Sequence, residues 1–211
     1  MRQKEGLLVV ISGPSGAGKG TLCERLLKKN HSIYKSVSMT TRQPRKGEID
    51  GESYYFITEE EFKNKIKNGE FLEWAKVYGN YYGSPRAKVL EKLRQGMDVL
   101  LEIDIQGAIQ VKKSFSDGVF IFILPPSFEE LSERIKKRAT EDEKTIYLRL
   151  KSAYEEIKHA LEYDYIIVND DIQDAVDKLE AIIKAEKCRA KRNKTLLLTE
   201  IGGEETCCTR L

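Results

Sequence analysis

The sequence predicts an α/β protein built around a parallel sheet, and two features of the chain support this prediction. The first is a set of unbroken apolar runs, which is typical of strands buried on both faces. The second is a helical pattern of apolar residues after each run. Strands that alternate with helices indicate a parallel sheet with helical crossovers. The runs occupy residues 7–12, 99–103, 119–124 and 165–168.

The composition indicates one main globular domain. The chain has 211 residues, of which 40% are hydrophobic and 33% charged, so it can bury a sizeable core and is too apolar to be disordered. Lysine and arginine total 36 against 34 aspartates and glutamates. This balance gives no general electrostatic reason to expect a nucleic acid or a membrane as a partner.

Apolar runs and cysteines both favour a cytoplasmic protein. The apolar runs are much shorter than the roughly 20 residues that span a bilayer, and the first is too short for the core of a signal peptide. The four cysteines have neither the spacing of metal ligands nor that of a disulfide scaffold: Cys23, Cys188, Cys207 and Cys208. A reducing compartment is therefore expected, with no membrane partner.

The first half of the chain divides into a strand–helix unit and a strand-rich segment. The run at 7–12 leads through a glycine-rich loop into a helix predicted at 19–29. Between 36 and 82, short segments rich in Tyr, Phe, Thr and Val are broken by Pro and Gly, which predicts a small strand-rich subdomain. It holds one short helix, because Thr58 and Glu61 form a capping box. Another helix begins at Ser84 and Pro85.

The second half of the chain is mainly helical between its strands. Ser127 and Glu130 cap a helix, and a charged stretch separates it from the next one. The pattern places Ile146, Leu150, Ile157 and Leu161 on the inner face of that next helix. A last helix carries Ile172, Val176, Leu179 and Ile183. Residues 195–211 have no sustained period, which predicts a mobile tail.

A glycine-rich loop supplies the strongest functional signal. The segment follows a predicted strand and opens a predicted helix, which is the context of a phosphate-binding P-loop. Its glycines let backbone N–H groups turn toward an anion, the helix N-terminus adds a partial positive charge, and the lysine adds a full one. The predicted ATP-binding residues are Gly13, Pro14, Ser15, Gly16, Ala17, Gly18 and Lys19, followed by Gly20 and Thr21.

One position of this loop departs from the usual pattern. The residue after the lysine is normally Ser or Thr, whose hydroxyl binds Mg²⁺, but here it is Gly20, and Thr21 comes one position later. We therefore do not expect a protein hydroxyl to bind the metal at that point. A P-loop alone is compatible with GTPases, motor ATPases and small-molecule kinases, so other motifs must discriminate.

Three further segments resemble the successive signatures of guanylate kinases. They read SVSMTTRQPRKGEIDGESYYF, FLEWAKVYGNYYGS and LEIDIQGA, and the resemblance extends from about residue 7 to residue 187. It implies a five-stranded parallel sheet with a GMP-binding subdomain and a helical lid. It also implies an enzyme that phosphorylates GMP, with ATP as co-substrate and Mg²⁺ as cofactor.

The resemblance also implies a division of the chain. A guanylate kinase-like domain would occupy residues 1–194, with a core formed by 1–35, 87–137 and 150–194. The GMP-binding subdomain would be 36–86 and the lid 138–149. The expected partners are the small-molecule substrates alone, and the sequence leaves self-association into a homo-oligomer open.

Within the GMP-binding subdomain, the resemblance assigns two groups of residues. Arginine forks and phenolic hydroxyls suit phosphate oxygens, and the residues that match the GMP phosphate site are Arg42, Arg45, Tyr54 and Tyr82, with Glu48 nearby. A carboxylate can accept from the ring N–H and exocyclic amine of guanine, and hydroxyls can donate to its carbonyl. The matching residues are Glu73, Ser38 and Ser84.

The remaining predicted site residues lie in the core and the lid. Glu102 and Asp104 share a face at the end of an apolar strand, where active sites of parallel sheets lie. The resemblance places Asp104 near Mg²⁺ and the transferred phosphate, and Glu102 near either the ribose and base of GMP or the metal. It assigns phosphate contacts to Arg134, Arg138 and Arg149 and an ATP contact to Asn169. The predicted catalytic residues are thus Lys19, Arg42, Asp104, Arg134, Arg138 and Arg149.

Each of these assignments has a structural alternative. Taken alone, Glu73 is more often a solvated strand residue, and arginines on a helix are more often a solvated charged face. Trp74 is expected in the core. At the level of function, the alternatives are a noncatalytic scaffold module that binds phosphopeptides in the GMP pocket, and a kinase for another nucleoside monophosphate.

Overall fold

A computed structural model describes the chain at residues 5–138 and 143–193, without the side chains at 138 and 143–145. In this part of the chain the strands are β1 Leu8–Ser12, β2 Ile33–Lys35, β3 Met39–Thr40, β4 Tyr55–Phe56, β5 Phe71–Val77, β6 Asn80–Pro85, β7 Asp98–Glu102, β8 Val119–Leu124 and β9 Tyr165–Val168. The helices are α1 Lys19–Lys29, α2 Glu59–Lys67, α3 Arg86–Arg94, α4 Ile105–Ser114, α5 Phe128–Arg138, α6 Glu143–Lys158 and α7 Ile172–Lys187. Short 3-10 helices follow α6 and α7, at His159–Glu162 and Ala190–Asn193.

The larger sheet has five parallel strands in the order β2-β7-β1-β8-β9. This confirms the predicted fold class. The four strands predicted from apolar runs are present, and the edge strand β2, only three residues long, has no such run. Strand β1 is central, since it pairs with both β7 and β8.

Helices cover both faces of this sheet, which explains why its strands are apolar throughout. On one face, Val9 and Ile11 of β1 pack with residues of α1 and α7. On the other face, Val10 packs with residues of α3 and α4. Among the described residues no helix combines the length and the apolar character needed to cross a membrane.

The smaller sheet has four strands in the order β4-β3-β6-β5 and mixes parallel and antiparallel pairs. It lies within residues 39–85 and fits the expected GMP-binding subdomain. Helix α2 begins at Thr58, whose hydroxyl accepts a hydrogen bond from the Glu61 amide, as the capping box predicted. The helix inserts the fully buried Phe62 between the rings of Phe71 and Tyr81, at centroid distances of 4.4 and 5.3 Å.

Two expectations for core residues are wrong. Leu161 is 89% exposed, because α6 ends at Lys158 and the tighter 3-10 turn rotates this side chain away from the inner stripe. Trp74 is 38% exposed, because side chains alternate along β5 and its neighbours Glu73 and Ala75 point inward. The predicted tail at 195–211 lies outside the described residues.

We predict that Phe62→Ala destabilises the small sheet. The substitution removes a buried ring stacked between two others, and such changes cost about 3–5 kcal/mol of unfolding free energy. Thr58→Ala, which removes only the cap of the same helix, should cost about 1 kcal/mol. Urea denaturation of both variants measures the difference. Equal losses would contradict the proposed packing role of Phe62.

Candidate active site

The P-loop is formed by the turn between β1 and α1. Gly13, Gly16 and Gly18 have φ angles of 144°, 91° and 90°, in the region that favours glycine. Gly18 is the N-cap of α1 and provides no side-chain acceptor for the first amides of the helix. These amides and the positive end of α1 are therefore available to an anion.

Lys19 lies folded over this loop. Its Nζ donates to the carbonyl oxygens of Gly13 at 2.5 Å and Pro14 at 3.1 Å. Burial lowers the pKa of Lys19, and the negative charges of Glu102 and Glu156 act in the opposite direction. The ammonium group thus lies against the loop carbonyls and is attracted by carboxylates at the end of β7 and in α6.

Asn169 contacts the P-loop from the end of β9. Its side chain is buried, and Nδ2 donates to the carbonyl oxygen of Ala17 at 2.8 Å. A Cβ on Gly18 would lie 2.3 Å from the same Nδ2. Asn169 therefore braces the backbone of the loop, which gives it a contact that sequence analysis did not foresee. Its assignment to ATP stays a prediction.

Glu102 ends β7 beside the P-loop strand, in register with Ile11 of β1. Its Oε2 accepts a hydrogen bond from Lys35 Nζ at 3.0 Å, and its Oε1 lies 3.4 Å from the position that a Cβ on Gly20 would occupy. Burial disfavours the charge of Lys35, but the attraction of Glu102 outweighs it and raises the pKa of Lys35. Sequence analysis missed Lys35, although it lies directly before the SVSMTTR motif.

Asp104 occupies the N-cap of α4. Its Oδ1 accepts hydrogen bonds from the amides of Gln106 at 2.8 Å and Gly107 at 3.1 Å. These bonds fix the carboxylate at the carboxyl edge of the large sheet, next to the end of β7. The structure thus brings both predicted acidic residues to the P-loop edge, and their roles stay predictions.

Arg42 and Glu48 form the centre of the predicted phosphate site. Both terminal nitrogens of Arg42 donate to the Glu48 carboxylate at 2.9 Å. This hydrogen bonding raises the pKa of Arg42 and lowers that of Glu48. The guanidinium lies 5.3 Å from the ring centre of Tyr54, whose ring is 6.1 Å from that of Tyr82. Arg45 is exposed, and its amide donates to Glu48 Oε2 at 2.7 Å.

Glu73 is a buried carboxylate in the smaller sheet. It is 3% exposed, which excludes the solvated alternative. Burial raises its pKa to about 7, although a 2.7 Å hydrogen bond from Ser84 Oγ to Oε1 favours the charged form. The protein therefore holds an acidic group at this position that changes charge near neutral pH.

A row of polar side chains crosses three strands at Glu73. Residues directly opposite each other in antiparallel strands share a face. Glu73 of β5 is opposite Ser84 of β6. On the other side of β6, Met39 pairs with Gly83, and this antiparallel register places Ser38, directly before β3, opposite Ser84. The three predicted base-reading residues thus lie side by side. Tyr82, two residues from Ser84, is on the same face.

The predicted lid arginines differ in position. Arg134 forms an ion pair with Glu130, and its Nη1 lies 3.9 Å from where a Cβ on Gly18 would be, so it borders the P-loop. Arg149 lies with its guanidinium 5.4 Å from the ring centre of Tyr78, in the hairpin between β5 and β6. Arg138 ends α5, and its side chain is outside the described part. Their catalytic roles stay predictions.

We predict that the raised pKa of Glu73 makes stability depend on pH. Because the folded pKa exceeds the ordinary value of 4.5, the contribution is complete below about pH 4.5 and is lost as pH rises through about 7. At about 1.4 kcal/mol per tenfold change in proton affinity, the loss is about 3 kcal/mol. Glu73→Gln does not titrate and should gain this amount over the wild type between pH 4.5 and 8 in urea denaturation. Parallel pH profiles would contradict the assigned pKa.

Comparison with known proteins identifies the family. The family model described as guanylate kinase matches residues 5–186. A guanylate kinase of Caldanaerobacter subterraneus subsp. tengcongensis is 60% identical over 93% of this chain and 95% of its own length, and one of Clostridium tetani is 59% identical over 94% and 96%. The crystal structure of guanylate kinase from Anaplasma phagocytophilum superposes with a TM-score of 0.80 at 39% identity, over 95% of this chain and 98% of that one. The chain belongs to the guanylate kinase family, whose members phosphorylate GMP to GDP with ATP.

Proposed function

We propose that this chain binds ATP on the P-loop, binds GMP between the small sheet and the core, and transfers the γ-phosphate to give ADP and GDP. The observation that carries the proposal is the buried Glu73 in its row with Ser84 and Ser38. Among the common bases only guanine presents a ring N–H beside an exocyclic amine, a pair of donors that one carboxylate can accept together. Family membership supports the same reaction.

The row of polar groups is complementary to guanine. The ring N–H and exocyclic amine of guanine are adjacent donors, and an ionised carboxylate can accept from both. The hydroxyls of Ser84 and Ser38 can donate to the base carbonyl. Adenine has an acceptor where guanine has its ring N–H, so Glu73 would repel it.

Arg42, Arg45, Tyr54 and Tyr82 would hold the GMP phosphate. Glu48 holds the Arg42 fork in a fixed plane, which prepares its remaining N–H donors for phosphate oxygens. An ionised phosphate oxygen of GMP needs no side-chain base before it attacks the γ-phosphorus in line. The protein therefore contributes alignment and charge neutralisation.

On the ATP side, Lys19 would move from the loop carbonyls to the phosphates, and Arg134, Arg138 and Arg149 would neutralise charge that develops during transfer. Arg134 already borders the loop. The lid at 138–149 would close with the GMP-binding subdomain over both substrates. Closure would exclude water, which otherwise competes with GMP as the acceptor of the phosphoryl group.

Mg²⁺ fits this site as a companion of ATP. Gly20 has no hydroxyl to offer, and no cluster of three acidic, His or Cys side chains suitable for a metal exists among the described residues. Asp104, fixed by its cap contacts, is suited to hold a metal-bound water. The ion, held mainly by ATP phosphates and water, would offset the phosphate charges.

Three finer points extend the proposal. We infer a cytoplasmic location, where both substrates occur. We expect dGMP to be accepted as well, because the residues assigned to the base and the phosphate do not involve the ribose 2′-hydroxyl. A noncatalytic scaffold role is disfavoured by the formed P-loop, with its glycines in the required conformation and its lysine in place.

A substrate panel tests the proposed function. Release of ADP is followed in a coupled assay with GMP, dGMP, AMP, CMP and UMP at saturating ATP. We expect turnover with the guanine nucleotides alone. Turnover with another monophosphate would contradict the proposed specificity. No turnover, together with phosphopeptide binding that GMP displaces, would support the scaffold alternative.

We predict that Glu73→Gln removes most of the selectivity for guanine. Glutamine keeps one carbonyl and directs an amide donor toward a guanine donor, so kcat/KM for GMP should fall at least about tenfold. The ratio of kcat/KM for GMP to that for AMP should shrink, with KM for ATP unchanged. Glu60→Gln, an exposed substitution on α2, serves as the control. An unchanged ratio would show that Glu73 does not read the base.

A further inference from the structure

Helix α4 of the core packs directly against Glu73 of the small sheet. A Cβ on Gly107 would lie 2.3 Å from Glu73 Oε2 and 2.9 Å from its Cδ. These distances are well inside van der Waals contact. Glu73 and a side chain at position 107 therefore cannot occupy their places together.

The backbone of Gly107 gives no other reason for glycine. Gly107 is within α4, and it is not among the glycines with positive φ. Glycine is less favourable than alanine inside a helix. The helix thus accepts a poorer helix former at a position that faces the Glu73 carboxylate, and the close approach to Glu73 accounts for it.

A second residue of α4 holds the strand that carries Glu73. Gln110 is three positions after Gly107, so the two residues share a face of the helix. Its Nε2 donates to the Trp74 carbonyl oxygen at 2.7 Å, and its Oε1 accepts from the Trp74 amide at 3.2 Å. The ladder between β5 and β6 is irregular between Phe71 and Glu73, as in a β-bulge. The two hydrogen bonds of the Gln110 amide, here called the clamp, therefore fix the backbone of β5 next to this irregularity.

We propose that Gly107 and Gln110 are positioning residues for base recognition: Gly107 provides the space that seats the Glu73 carboxylate, and Gln110 fixes the backbone beside it. The inference rests on the proposed role of Glu73 as the residue that reads guanine. It adds that the position of this carboxylate is set by a core helix, the same helix that Asp104 caps.

The central test is Gly107→Ala. The nearest atoms belong to the end of a flexible side chain, so the added methyl group should displace the carboxylate without unfolding the protein. We expect KM for GMP to rise at least about tenfold, as for loss of a hydrogen bond to a charged group. The melting temperature and KM for ATP should stay near wild-type values. Lys113→Ala, exposed on the same helix, is the matched control.

A double-mutant cycle separates displacement of Glu73 from a general disturbance of α4. Aspartate at position 73 is shorter by one methylene and leaves room for the methyl group. Gly107→Ala should therefore change KM for GMP less than about threefold in the Glu73→Asp background, against about tenfold with Glu73. Equal effects in both backgrounds would overturn the proposal.

The outcomes distinguish failure of this inference from failure of the proposed function. If Glu73→Gln changes the ratio of GMP to AMP efficiency but Gly107→Ala leaves KM for GMP unchanged, the inference alone is wrong. If Glu73→Gln leaves the ratio unchanged, the role of Glu73 itself is wrong. Gln110→Ala is a second variant: we expect faster hydrogen exchange at the Trp74 amide and a severalfold higher KM for GMP, and wild-type values of both would overturn the clamp.

Discussion

The pairing of β1 with β7 at the centre of the parallel sheet is the constraint on which the candidate site depends. Parallel strands end at a common edge, and the register of Ile11 with Glu102 places the P-loop and the acidic end of β7 side by side. No specific contact between the two loops is needed for this arrangement. The apolar residues of both strands, buried between two helical layers, hold the register.

From this edge, helix α4 runs to the small sheet and connects it to the core. Its first turn is capped by Asp104, and the face that carries Gly107 and Gln110 meets β5. The P-loop edge of the large sheet and the proposed base-reading carboxylate are thus both in contact with one helix. A small shift of β5 against α4 would move the base without moving the P-loop. The few contacts of Gly107 and Gln110 with β5 are therefore important for the alignment of the two substrates.

The local features of the chain could be predicted from sequence, and its long-range contacts could not. The bounds of α1, β8 and β9 agree with the predictions, because apolar runs and a glycine-rich loop determine them locally. Strand β2 could not be predicted, because its three residues are too few to show a pattern of apolar and polar positions. The hydrogen bonds of Gln110 join residues 36 positions apart, and no periodicity reveals such a contact. Leu161 was misplaced because a change from α to 3-10 geometry alters which side faces inward.

Burial of the Glu73 carboxylate means that the proposed selectivity for guanine is accompanied by a loss of folding stability. Glu73 has a pKa near 7 because water is excluded, so the ionised form that would read guanine is also the form that destabilises the folded protein. The two adjacent donors of guanine would supply the hydrogen bonds that burial removed, and substrate binding would then relieve this cost.

Arg42 and Arg134 follow the opposite arrangement, since each already forms an ion pair with a carboxylate. Glu48 holds Arg42, and Glu130 holds Arg134, so a carboxylate orients each of these two cations. A guanidinium has further N–H donors beyond those that one carboxylate occupies. Arg42 can therefore receive a phosphate without releasing Glu48, and its orientation is retained at the moment of binding. The carboxylate that would read the base gains the two donors of guanine only when the substrate binds, whereas the cations that would hold the phosphate are oriented beforehand.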